Sequence, residues 1–144
     1  MEIARARITA VVSAFVLILP TMGAVAAPPK KKIVTQWKQA PGTAVQVDRW
    51  GEVQVVLVIR KRTTFVDGKK RSVTRRITAL RLPVWPNEGG AHTIQLNRQT
   101  LPLLTKQVLV EQFKTTIDYI SEATDTSMAF EKSLQIALLN GRRV

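Results

Sequence analysis

The sequence predicts an α+β fold: an antiparallel sheet with a long basic hairpin, and two helices packed on one face. Two β-branched runs, EVQVVLVI from Glu52 and SVTRRITALRLPVW over residues 72–85, flank the pair Asp67-Gly68. That dipeptide is a strong hairpin signal, because a tight turn between twisted strands needs positive φ at its central residues. Further on, two stretches repeat their apolar residues at helical spacing. The 144-residue chain is 45% hydrophobic and has no cysteine, so its core must be held by burial alone, which a chain of this size can do.

Residues 1–26 read as an export signal. Arg5 and Arg7 make a basic start, ITAVVSAFVLIL runs from Ile8 to Leu19, Pro20 and Gly23 break the run, and Ala24-Val25-Ala26 supplies the small-x-small cleavage site. The run is shorter than the roughly 20 residues that span a bilayer, which favours a cleaved signal over a retained anchor. The mature chain is therefore expected to be exported, periplasmic or otherwise extracytoplasmic. In residues 27–46, Pro28, Pro29, Pro41 and Gly42 surround three consecutive lysines and no period of 2 or 3.6 appears. An extended basic arm is expected there, suited to an anionic membrane surface. Residues 47–144 are expected to form the folded domain.

Val53, Val55, Leu57 and Ile59 share one face of the first strand, with Gln54, Val56 and Val58 opposite, the pattern of a largely buried strand. From Arg60 to Arg81 the hairpin has nine basic residues and one acid, Asp67. Such charge discourages edge-to-edge pairing, and it also offers a positive surface to an acidic partner or an electron-accepting group. Pro86 to Thr100 reads as a loop by its Gly89-Gly90 pair. Leu101, Leu104, Val108 and Val110 or Phe113 then predict an amphipathic helix with Pro102 in its first turn. Phe130, Leu134, Ala137 and Leu138 predict a second helix, ended by Asn140-Gly141, with Glu131, Lys132 and Gln135 facing out.

Several function classes are excluded by what the chain lacks. Without cysteine there is no thiolate metal site, thiol nucleophile or c-type haem attachment. His92, the single histidine, has no second histidine for a metal site, and no nucleophile, base and orienter set is present. The net charge of +12 becomes +11 once Glu2, Arg5 and Arg7 leave with the signal. Export argues against nucleic acid as the partner, and Trp37, Trp50 and Trp85 do not interleave with the basic residues. Asp118, Glu122 and Asp125 read as loop and cap residues rather than as a metal set.

The remaining chemistry lies in IDYISEATDTS, residues 117–127, just before the last helix. Thr124, Asp125 and Thr126 are all favoured N-cap types, and capping accounts for one of them. A helix start also presents unpaired N–H groups and partial positive charge, a ready phosphate site around which hydroxyls add donors or an attachment point.

The order of hairpin, LPLL helix and IDYISEATDTSMAFEKSLQIAL resembles the small FMN-binding domain found in flavin-carrying components of the sodium-translocating NADH:quinone oxidoreductase and of the Rnf complex. The resemblance runs from about Val47 to Asn140, and its specific motif is Asp, two variable or apolar residues, Ser or Thr, Gly, Ala, Thr or Ser, any residue, Thr or Ser. Here the motif falls on Asp118, Ser121, Glu122 in the glycine place, Ala123, Thr124 and Thr126. The resemblance implies FMN as cofactor, joined by a phosphoester to Thr126 by a flavin transferase, with Ser121 and Thr124 near the phosphate. It also implies an electron carrier of the cell envelope working with a membrane or envelope redox partner. Arg75, Arg76 or Arg81 would then stabilise a reduced, anionic flavin, and the basic hairpin would offset Glu122 and Asp125 by folding back over the site. The alternative is a flavin-free or weakly FMN-binding module of the same fold that docks an anionic envelope partner through its hairpin.

Overall fold

β3 is the hub of the sheet because it alone alternates cleanly between buried and open positions. In the computed structural model, which describes residue 23 and residues 25–144, β1 (Lys31–Pro41), β2 (Val45–Gln46), β3 (Glu52–Val66) and β4 (Lys69–Val84) precede α1 (Ala91–Glu111) and α2 (Thr124–Arg143). The expected signal segment lies outside the described residues, apart from Gly23, Val25 and Ala26. No helix among the described residues is long and apolar enough to cross a membrane.

All pairings are antiparallel: β4 runs along one side of β3, while β1 and β2 lie in line along the other. Val53, Val55, Leu57 and Ile59 are fully buried on the face that the helices cover. Against them pack Phe130, Leu134, Ala137 and Leu138 of α2, with Leu101, Leu104 and Val108 of α1 completing the core. The α+β architecture is thus an antiparallel sheet with two helices on one face. At the hairpin tip Asp67 and Gly68 have φ of 51° and 76°, the paired positive values of a tight two-residue turn.

Three local expectations are corrected. The stretch read as an extended arm holds β1 and β2. β1 pairs with β3 from Lys31↔Val66 to Pro41↔Val56, yet it is exposed along nearly its whole length. With neither face buried there was no hydrophobic alternation to read, and the backbone ladder defines the strand. The Lys30 N–H donates to Asp67 Oδ1 at 3.0 Å and the Asp67 N–H to the Lys30 carbonyl at 3.0 Å, closing the arm onto the hairpin tip.

The expected loop before Leu101 is helical from Ala91, which places Pro102 inside α1. Pro102 is exposed, so water can take the carbonyl that its missing N–H leaves free. Asn140-Gly141 does not stop α2, which continues to Arg143. Gly141 is instead a close-packing residue, since a Cβ there would run into the Ile59 side chain.

Between β1 and β2 the ladder opens to admit α2. The Gly42 N–H donates to the Val55 carbonyl at 2.7 Å, but the Val55 N–H turns to Ser133 Oγ at 2.9 Å. Ser133 Oγ, fully buried, donates in turn to the Thr43 carbonyl at 2.7 Å. A Cβ on Gly42 would collide with the Ser133 backbone, so glycine is what lets the helix approach.

Candidate functional site

The turn into α2 is built by local hydrogen bonds. The Ala123 N–H donates to the Ile120 carbonyl at 3.1 Å, and Ser127 Oγ accepts from the Ile120 N–H at 3.1 Å while donating to the Ala123 carbonyl at 2.9 Å. Gln107 of α1 holds the Asp118 backbone from both sides, accepting from its N–H at 2.8 Å and donating to its carbonyl at 3.1 Å. Within this turn Glu122 has φ 67°, the left-handed region that favours glycine. The backbone thus takes at Glu122 a conformation that glycine adopts freely.

Ala123 is the N-cap of α2, and no side chain caps the helix. Thr124, Asp125 and Thr126, expected as capping candidates, occupy the first helical turn instead. The first intrahelical N–H bond is made by Ser127, to the Ala123 carbonyl at 2.9 Å. The amides of the three preceding residues have no carbonyl within the helix to reach. α1 starts from Gly90, also without a side-chain cap.

The first turns of the two helices meet at a groove of about 280 Å³. Trp50, Thr93, Leu96 and Asn97 line one side and residues 122–126 the other. At its floor Thr126 Oγ1 donates to Asn97 Oδ1 at 2.7 Å, and Asn97 Nδ2 donates to the Pro86 carbonyl at 3.1 Å. Both side chains are buried, Thr126 at 4% exposure and Asn97 at 2%. Asn97 therefore presents its oxygen to Thr126 and fixes where the hydroxyl proton points.

Of the expected site residues, Ala123, Thr124 and Thr126 line this groove. Ala123 is buried and Thr124 exposed. Asp118 and Ser121 do not line it; both are exposed in the approach to the turn. Glu122 and Asp125 do line it, so two carboxylates border the open amides.

The cations expected over the site are elsewhere. The groove adjoins the Val84 end of β4, whereas the hairpin tip lies at the other end of the 15-residue strand β3, ~50 Å away along an extended chain. The basic hairpin does not fold back over the groove. Arg75 and Arg76 pair with Lys61 and Arg60, and Arg81 with Val56, along the ladder. The cations beside the nearby tryptophans are Arg49, 4.6 Å from the Trp50 ring centroid, and Arg98, 5.7 Å from that of Trp85.

Sequence reasoning missed Asn97, Thr93 and Leu96, because the segment that carries them was read as a loop. The signal was available: Thr93, Leu96, Asn97, Thr100, Leu101 and Leu104 follow the i, i+3, i+4, i+7 helical spacing back through that segment.

No model of a known protein family matches the chain, and no curated protein matches it. The chain's own residues must therefore carry the functional assignment.

Set against the expected flavin phosphate, these residues divide. Uncapped amides at Thr124, Asp125 and Thr126 suit a phosphate. The half-buried indole of Trp50 at the rim offers an aromatic plane, and Glu122 holds a left-handed backbone conformation that glycine adopts freely. Opposing these are the carboxylates of Glu122 and Asp125 and the engagement of the Thr126 hydroxyl with Asn97.

Proposed function

We propose that the chain is an FMN-carrying electron-transfer protein of the cell envelope, with the flavin held by a phosphoester to Thr126. The observation that carries this reading is the conjunction at the start of α2: an uncapped helix N-terminus with Thr126 turned into the groove, behind a residue in left-handed conformation. The Thr124, Asp125 and Thr126 amides would hold the phosphate oxygens, with the Thr124 hydroxyl as a further donor. Small Ala123 leaves the helix start open to a phosphate. Trp50 would flank the ring, and Arg49 would bring positive charge to that side. Ser121 and Asp118 shape the approach, Asp118 through the backbone clasp from Gln107. When bound, FMN supplies the chemistry of accepting and releasing electrons, while the protein supplies position and field.

Asn97 has a specific part. It accepts the hydrogen bond of the Thr126 hydroxyl and so orients the oxygen; the phosphoester would form when that oxygen displaces the nucleotide leaving group of a flavin dinucleotide donor, its proton passing to a base of the transferase. Because Thr126 is buried, a flavin transferase must open the turn between residues 120 and 124 to reach it. An envelope redox partner would then meet the loaded groove at the end of the sheet opposite the basic tip.

Intact mass of the exported protein, co-expressed with a flavin transferase, tests this. The expected result is an increment of one FMN less water, lost in Thr126→Ala. An unmodified mass with a transferase that labels a control substrate would refute the covalent carrier. It would favour the flavin-free module that docks an anionic partner through its basic hairpin; the two groove carboxylates, which repel a phosphate, support the flavin-free part of that reading.

A further inference from the structure

Away from the groove, on the sheet face that the helices leave open, the ladder brings arginines together. Arg60 of β3 lies directly across from Arg76 of β4, and Arg62, two residues along β3, lies across from Thr74. By strand alternation all four start from the face opposite buried Ile59 and Ile77, and β4 pairs only with β3, so its free edge is where they meet residues from the helix side. Like charges placed directly opposite on neighbouring strands destabilise a sheet, and no carboxylate among the described residues pairs with these guanidinium groups. The nearest acid in sequence, Asp67, is engaged with Lys30 at the tip.

Arg60, Arg62, Thr74, Arg75, Arg76 and Gln112 line a cavity of about 390 Å³. Two of these are already committed: Arg75 Nε donates to the Val144 carbonyl at 2.8 Å, and Gln112 brackets the Ile77 backbone through its Oε1 and Nε2. The other three arginines are not. Arg60 Nε is, among the described residues, the one buried side-chain polar atom with no hydrogen-bond partner. Burying a guanidinium N–H without an acceptor is costly, so Arg60 Nε needs an acceptor that the chain itself does not supply.

The geometry points to an oxyanion site here, in which Arg60, Arg62 and Arg76, with the Thr74 hydroxyl, bind a phosphate-class group. Planar guanidinium forks match the oxygens of a phosphate in pairs. A dianion between Arg60 and Arg76 turns their mutual repulsion into attraction and supplies Arg60 Nε with its acceptor. The ligand chemistry is a phosphate or diphosphate, free or as a lipid headgroup. The site is independent of the Thr126 groove, which lies at the Val84 end of β4.

Inorganic pyrophosphate, titrated into the mature protein by calorimetry at ionic strength matched with chloride, is the probe. Saturable binding is expected, with a stoichiometry near one, unchanged in Thr126→Ala. Removing charge-assisted hydrogen bonds in Arg60→Gln or Arg76→Gln should weaken it about tenfold or more. The pair Lys69→Gln with Lys70→Gln, outside the cavity, removes charge without removing the site, so it should change affinity less than twofold. Because Arg76→Gln also relieves repulsion, its melting temperature without ligand should equal or exceed that of the parent, which excludes misfolding as the cause of lost binding. Sedimentation with phosphatidylglycerol vesicles separates the sources. Arg60- and Arg76-dependent pelleting displaced by pyrophosphate assigns a lipid headgroup, and pyrophosphate binding without pelleting assigns a soluble phosphate. Heat no greater than in the chloride control, or equal weakening by the lysine and arginine substitutions, would overturn the site.

Discussion

Glu122 holds φ at 67° without side-chain help: its carboxylate is exposed and no hydrogen bond or ion pair among the described residues engages it. A side chain in the left-handed region costs roughly 1–2 kcal/mol. Glycine there removes that cost but gains freedom in the unfolded chain, worth about 0.4–1 kcal/mol. The net expectation for the backbone is a gain of about 0.5–1 kcal/mol. Losing a negative charge near the start of α2 subtracts a few tenths at an exposed position. Glu122→Gln isolates that electrostatic part, because it keeps the strain and drops the charge. Glu122→Gly should therefore be more stable than Glu122→Gln by about 0.5–1 kcal/mol, a melting-temperature difference of about 2–5 °C for a domain of this size. Glu122→Asn should fall between them, since asparagine tolerates this region. Circular-dichroism melts and urea titrations followed by tryptophan fluorescence provide the measurement. If glycine is no more stable than glutamine, the turn does not store the strain assigned to it, and its likeness to the motif's glycine loses its physical basis.

Ser133→Ala leaves the Val55 N–H and the Thr43 carbonyl without their shared hydroxyl, and should cost about 1–3 kcal/mol in urea unfolding; a loss under about 0.3 kcal/mol would mean that water replaces it. Lys114 Nζ lies 2.9 Å from Glu111 Oε2, and that hydrogen bond, then its charge attraction, raises the Lys114 pKa above the ordinary 10.5. Its stabilising contribution is therefore full below the unfolded-state pKa and is lost as pH rises through the folded value; NMR titration should show Glu111→Gln returning Lys114 towards 10.5.

How legible each element was depends on whether burial left a pattern. β3 was legible because alternate side chains enter the core, and α2 because Phe130, Leu134, Ala137 and Leu138 all face the sheet. The Asp67-Gly68 turn was legible because its chemistry is local. β1 was not: its residues are held by backbone bonds to β3, and those bonds leave no trace in side-chain character. The first turns of α1 were hidden by Gly89-Gly90 and by the proline eleven residues into the helix, both of which are local signals against a helix that tertiary packing overrides. Within the site, the Thr126 neighbourhood was readable as a motif. Its partner Asn97 was not, because the two are 29 residues apart and meet only after α1 and α2 pack.

The ribbon beyond Ile59 has a further consequence. From Arg60 to Val66, β3 is half-buried or exposed at every position, and its neighbours in β1 and β4 are mostly exposed. Separating these strands from the tip inward breaks backbone bonds but uncovers little of the core. Amide exchange should thus be graded along the ladder, fastest near the Lys30–Asp67 clasp and approaching the global limit where Ser133 enters the sheet. The protein can therefore reshape one end against a partner while the helices and the groove at the other end stay folded.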